Sequence, residues 1–225
     1  MAREPTVSAA VREAVNSDLS VQDAIARDYV NLSKLGRMLR PSVEHRIGRK
    51  IEGLESIVTS LKRLRESYHP ASPGIGQVLA GSVVNVRTHV SKLSVEKTKR
   101  TLGLVAEMLS NHKEEFIQVS ESLSSITLIF DQRLHKQVKG EMARAAVLEE
   151  GDFYAAIIVQ SPPEIISTPG CVMSFYNQLA RRHVNIEDTV SCYTDTIIVV
   201  KMDDVGKAFE TLTELINEER AKMGR

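Results

Sequence analysis

Along the first third of the chain, apolar residues recur every three or four positions. Val7, Ala10, Val11, Ala14 and Val15 make one such stripe behind Thr6, and Ala24, Ile25 and Tyr29 make a second, with Ser20 placed to cap it. Leu32, Leu35, Met38 and Leu39 make a third, opened by Asn31 or Ser33. It is expected to stop before Pro41, because proline removes a backbone donor and clashes with the preceding turn. Leu54, Ile57, Val58, Leu61 and Leu64 make a fourth stripe over about 52–66. A 3.6-residue spacing places each set on one face of a helix, so residues 1–70 read as helical. Residues 71–82 gather Pro73, Gly74, Gly76 and Gly81 and read as a linker.

After residue 82 the period changes to two. Val84, Val86, Thr88 and Val90 alternate as in a strand. A helical stripe follows (Leu102, Val105, Leu109), then strands over 116–121 and 125–130 and a weak helix over 134–142. The same order then recurs: a strand over 154–160, a helix over 169–182, strands over 185–193 and 196–202, and a helix carrying Val205, Ala208, Phe209, Leu212 and Ile216. The expected fold class is α+β: an N-terminal helical bundle followed by two ferredoxin-like βαββα(β) units, over 83–150 and 151–225. Two four-stranded units need eight strands, yet six are evident, with a weak seventh over 145–149. One fourth strand is therefore missing, or comes from outside its own unit.

Composition narrows the classes. No apolar run approaches the ~20 residues that span a bilayer, and the charged N-terminus has no signal-peptide core. With two cysteines in no metal-type spacing, the chain reads as cytoplasmic, with free thiols and no membrane partner. The balanced total, 29 basic against 29 acidic residues, hides an asymmetry, because residues 31–65 carry 9 basic and 3 acidic residues. Phosphate loop, dinucleotide fingerprint and nucleophile elbow are all missing. None of the six histidines pairs with a carboxylate at metal spacing. The expectation is a non-enzyme without cofactor or metal.

The stretch Ser167-Thr168-Pro169-Gly170 through Leu179, then His183-Val184-Asn185-Ile186-Glu187, then Tyr193 to Val200, resembles an ACT domain over about 154–216. In that family a proline-glycine turn opens a helix, and an "Asn-Ile" strand and an apolar hairpin strand follow. The first unit resembles it only in element order, since His89-Val90-Ser91-Lys92-Leu93 stands where the turn would be. It reads as a degenerate ACT-like unit. Tandem units of this kind are similar to the regulatory half of aspartate kinases, and the whole is similar to small archaeal-type proteins that join a helical segment to ACT units.

The resemblance implies an amino-acid ligand near the turn, at a domain interface, and an allosteric role. Residue chemistry points the same way. Thr168 suits an N-cap and Pro169 the first helical position. The N–H groups of Gly170, Cys171 and Val172 would then be free at a positive helix end, where a carboxylate is favoured. Asn185, beside Ile186, offers a donor and an acceptor to complete the pocket. Gly170→Asp is expected to block this site and keep the fold. Cys171 reads as an inert thiol.

For the basic segment, residues 20–66 resemble a helix-turn-helix arrangement. Ser56, Thr59, Ser60, Lys62 and Arg63 on the last helix would face the major groove, and Arg37, Arg40, Arg46, Arg49 and Lys50 would grip phosphates. Two functions follow. One is an amino-acid-responsive transcriptional regulator that binds double-stranded DNA. The alternative is a non-catalytic regulatory subunit that binds an amino-acid biosynthetic enzyme and transmits feedback inhibition. A homodimer is expected, because an incomplete sheet would expose an edge at Ile158, Ile197 or Val199.

Overall fold

The computed structural model describes residues 5–67 and 74–224. The chain divides into two compact units, Met1–Pro73 and Gly74–Arg225.

The first unit holds four helices: α1 (Val7–Asn16), α2 (Leu19–Ala26), α3 (Leu32–Ile47) and α4 (Glu55–Ser67). Their stripes meet in one core that includes Ala10, Val11, Ile25, Leu35, Val43, Ile57 and Leu61. Thr6 caps α1 by accepting from Ala9 N–H, and Asn31 caps α3 by accepting from Lys34 N–H. Asp18, not Ser20, caps α2. Helix α3 runs straight through Pro41, where a stop was expected. The apolar stripe explains this: Leu35, Leu39, Val43 and Ile47 all bury on one face, and Pro41 lies exposed on the other. Burial on both sides of the proline outweighs its missing donor.

Much of the expected linker is structured. Gly74–Gly81 forms helix α5, which buries Val78, Leu79 and Ala80, and residues 71–73 lie outside the described residues. Of the glycines that suggested a loop, Gly81 serves close packing instead. At Gly81 a Cβ would come within 2.6 Å of Pro162 Cγ.

The rest of the second unit comprises β1 (Val83–Glu96), α6 (Lys99–Asn111), β2 (Ile117–Glu121), β3 (Ser125–Asp131), α7 (His135–Glu141), β4 (Val147–Gln160), α8 (Cys171–Arg181), β5 (Asp188–Cys192), β6 (Asp195–Lys201) and α9 (Val205–Met223). Its strands form one antiparallel sheet in the order β2-β3-β1-β4-β6-β5. The weak strand at 145–149 is the start of β4. The segment His89–Leu93, which stands where a proline-glycine turn would be, lies inside β1; the first helix of this half is opened instead at Thr98, with a capping box to Thr101.

The two 14-residue strands answer the question of the missing strand. From Val90 to Glu96, β1 pairs with β3, while the first half of β4 flanks its other side. From Tyr154 to Gln160, β4 pairs with β6, while the first half of β1, Val83–Arg87, flanks its other side. Each half of the sheet thus has its fourth strand supplied by the other half. Register shifts lie between Arg87 and Val90, where His89 has φ 56°, and Phe153, opposite, has φ 60°. Such bulges bend a strand and tighten its twist.

All the helices of this unit pack on one face. Helices α6 and α7 cover Leu93, Val95, Ile126, Leu128 and Phe130. Helices α5, α8 and α9 cover Ala155, Ile157, Val159, Ile198 and Val200. The other face buries Val90, Ile129, Ala156, Ile197 and Val199 against Phe116, Tyr154, Ile158 and Val190. Ile197 and Val199, expected at an exposed edge, therefore lie in the sheet interior, and Ile158 is half-buried. The edges are β2 and β5.

Candidate functional site

The Pro-Gly turn lies between β4 and α8. After Gln160 the chain makes a 3-10 turn over Pro163–Ile166 and reaches α8 through Thr168, Pro169 and Gly170. Thr168 does not cap α8. Its hydroxyl donates to Glu164 O at 2.7 Å, closing the preceding turn. Nor is Pro169 the first helical residue, because Gly170 holds the cap position, with φ 95° and no side chain to accept a bond. A left-handed cap is where glycine is favoured. The first carbonyl to accept within this helix is that of Gly170, from Ser174 N–H at 3.0 Å. The amides preceding that bond are Cys171, Val172 and Met173, one residue later than expected, and they sit at the positive end of an 11-residue helix.

Gly170 is also covered. A Cβ there would come within 2.9 Å of Ile75 Cδ1, from α5. Cys171 is buried, and burial pushes its thiol above the ordinary range, against any lowering by the helix end. Val172 is half-buried behind the turn.

Asn185 and Ile186 are not brought to this turn. Helix α8 carries the chain about 16 Å away from Gly170 by its rise per residue, and β5 then returns. Cys192 pairs with Asp195, at the Gln160 end of the sheet, whereas Asp188 pairs with Val199, at the Tyr154 end. Asn185 precedes Asp188 and so lies at the end away from Gly170. Its amide donates to Glu187 Oε1 at 2.9 Å, and Ile186 packs against the core under α8. A pocket joining Asn185 to the Pro-Gly turn is not formed within one chain.

Two clefts open elsewhere in this unit. One, about 390 Å³, is lined by Thr88, His89, Asp131, Gln132 and Arg133 at the β1 bulge. Arg133 holds Asp131 bidentately at 2.9 and 3.0 Å, with Arg87 at 3.8 Å, and this keeps the Asp131 carboxyl below its usual range despite burial. The other, about 180 Å³, lies between the start of β1 and α9. On the sheet's second face, burial pushes the Lys92 ammonium down, but Glu149 at 2.9 Å and the nearby Asp188 and Tyr154 more than offset it, and its pKa is raised. Sequence reasoning missed these pairings; those between strands, Arg87–Asp131 and Lys92–Glu149, leave no spacing signal.

In the helical unit the basic candidates separate. Arg37, Arg49, Lys50, Ser56, Thr59, Lys62 and Arg63 are exposed. Arg40 is committed elsewhere: its Nε donates to Glu44 Oε1 at 2.8 Å and its Nη2 to Ile51 O, while Ile51 N–H donates to the same Glu44 oxygen at 2.9 Å. The Arg40 side chain, and next the Ile51 N–H, hold the Glu44 carboxyl below its ordinary range. This clamp fastens the turn between α3 and α4. Arg46 faces Glu13 at 3.7 Å, and Ser60 is buried, donating to Ser56 O. Arg40, Arg46 and Ser60 are thus structural in place.

Residues 149–214 match the family model of the ACT domain, and this segment of the chain is an ACT domain. Solved structures similar to the chain include an aspartate kinase from Clostridium acetobutylicum (15% identity, TM-score 0.48, covering 60% of this chain and 34% of that one). The regulatory subunit of aspartate kinase from Thermus thermophilus is another (10% identity, TM-score 0.47, covering 59% and 95%). E. coli aspartokinase III in complex with lysine and aspartate is a third (14% identity, TM-score 0.48, covering 60% and 32%). The chain spans about a third of the length of the Clostridium enzyme. No curated protein sequence matches it. No described helix is long and apolar enough to cross a membrane.

Proposed function

We propose that the chain is a ligand-sensing regulatory protein. Its ACT domain takes a small amino acid, or a related carboxylate, at the end of the sheet where Gly170 opens α8. The observation that carries this is the glycine cap: a left-handed Gly170, free of any side-chain acceptor, ahead of the amides of Cys171, Val172 and Met173. These donors favour an anion by about 0.3–1 kcal/mol, so shape and a second protomer supply most of the affinity. A homodimer is the natural partner arrangement. The β5 edge is open, and a copy of the chain across it would bring a second Asn185 and Ile186 within reach of the site. Light scattering is expected to give twice 25.0 kDa.

The sensing domain needs an output, and residues 5–67 supply it. In our reading they bind duplex DNA through Arg37, Arg49, Lys50, Lys62 and Arg63, with Ser56 and Thr59 between. A second reading, docking on a biosynthetic enzyme, is favoured by the exposure of Leu19, Tyr29 and Met38 on the same unit. Salt separates the two, because counterion release makes DNA binding fall steeply between 50 and 200 mM salt. Retention of the full chain on duplex DNA at ~50 mM salt, lost at ~200 mM, supports the first; no retention at either eliminates it. For the ligand, a thermal-shift screen of the twenty amino acids is the test. At a hundredfold excess over Kd, binding stabilises by about 2.7 kcal/mol, and no shift with any of them would reduce this ACT domain to a structural module.

A further inference from the structure

Helix α5 is not among the elements the sequence pattern predicted, yet it lies against the turn that opens α8. Its two ends are held very differently. At the C-terminal end, Val78, Leu79 and Ala80 are buried. Arg220 of α9 donates to Ala80 O at 2.8 Å and to Ser82 O at 2.7 Å. Ser82 in turn donates to Val78 O at 2.7 Å and bonds Ser161 Oγ at 3.0 Å. Gly81 packs on Pro162 with no room for a Cβ. Among the described residues, the N-terminal turn has none of these side-chain hydrogen bonds. Gly74, Ile75 and Gly76 are half-buried and Gln77 is exposed. Gly76, inside this turn, adds backbone freedom that an alanine would remove. What this turn does have is Ile75, whose Cδ1 stands 2.9 Å from where a Cβ on Gly170 would be.

We propose that α5 is a latch over the ligand end of the ACT domain: Ile75 closes the space above Gly170, and an entering amino acid displaces the first turn of α5 while the Arg220-anchored end stays in place. The inference rests on the ligand reading above and adds its regulation. Low local stability confined to one turn is what a movable element requires. The ligand must then bind the open form better than the closed one, since only differential affinity shifts such an equilibrium.

The test uses the full chain, titrated with each of the twenty amino acids by thermal shift and calorimetry, together with hydrogen exchange. Ile75→Ala, which removes the plug, is expected to tighten binding about tenfold. Gly76→Ala, which stiffens the turn, is expected to weaken it about fivefold; its Cβ meets only the flexible end of Glu219. On binding to the native chain, amide exchange over 75–77 should rise while that of Leu79 and Ala80 stays slow. Binding seen only in Ile75→Ala also supports a latch, one held fully shut. Should an amino acid bind native and both variants with equal affinity and leave exchange at 75–77 unchanged, the latch is wrong and the ligand reading survives. If no amino acid binds the native chain or either variant, the ligand reading itself fails.

Discussion

Gly170 and Gly103 make opposite predictions from the same side chain. Gly103 lies within α6, and a Cβ there meets nothing within 4 Å. Gly103→Ala is therefore expected to stabilise the chain by about 0.5–1 kcal/mol, read as a raised urea midpoint. Gly170→Ala should instead cost about 1–3 kcal/mol, because φ 95° strains any L side chain and Ile75 occupies the new methyl's space. The same strain corrects the expectation that Gly170→Asp keeps the fold unperturbed. Arg40→Ala removes the clamp on Ile51 and should cost about 1–2 kcal/mol, whereas Arg37→Ala, exposed on the same helix, should leave stability within about 0.5 kcal/mol. Asp131 sets a pH dependence. Its carboxyl is held down in the folded state, chiefly by Arg133. The stability it contributes is therefore complete above the ordinary aspartate range, about pH 4, and is lost as pH falls through the depressed value. Asp131→Asn should flatten the acid limb of the unfolding midpoint below about pH 4.

At the scale of elements, the stripes were legible wherever one face alone is buried. The helix over Glu55–Ser67 and the strand over Ser125–Asp131 follow Ile57, Leu61 and Leu64, or Ile126 and Leu128, without further information. Three elements were misread for one reason each. Pro41 marks a stop only for an isolated helix, and the Leu39–Val43 stripe across it carries α3 onward. Gly74–Gly81 has loop composition, and only the close approach of Pro162 shows why a glycine is wanted at position 81. The first half of β4, Val147–Phe153, is exposed or half-buried and acidic, so alternation gives no signal, and its pairing to β1 decides its state. The site divided similarly. The glycine turn was legible from Pro169-Gly170, while the distance from it to Asn185 depends on strand direction, which local spacing does not encode. Pro41→Ala tests the proline argument: with the donor to the Arg37 carbonyl restored, it should stabilise the helical unit by about 1–3 kcal/mol, partly offset by a freer unfolded chain. A circular-dichroism melt of the native and substituted full chains reads it.

For the whole molecule, strand exchange decides what can fold alone. Residues 149–214 match a domain family, which invites cutting the chain there. The sheet argues against that cut. Tyr154–Gln160 is flanked by β6 on one side and by Val83–Arg87 on the other. The ACT core also takes in Leu79 from α5, with Ile75 and Val84 packed against it. A fragment over 147–225 would lose all of these and expose the β4 edge along Ala155, Ile157 and Val159, which are fully buried in the intact chain. An apolar edge of that kind is an aggregation hazard. A fragment over 74–225 keeps both long strands, their bulges and the Arg220 anchor on Ala80 and Ser82. We expect 74–225 to unfold cooperatively in urea and 147–225 to be aggregated or without a transition, despite containing the entire family match. Cooperative unfolding of 147–225 at the same midpoint as 74–225 would show that the exchanged strand contributes nothing to the ACT domain.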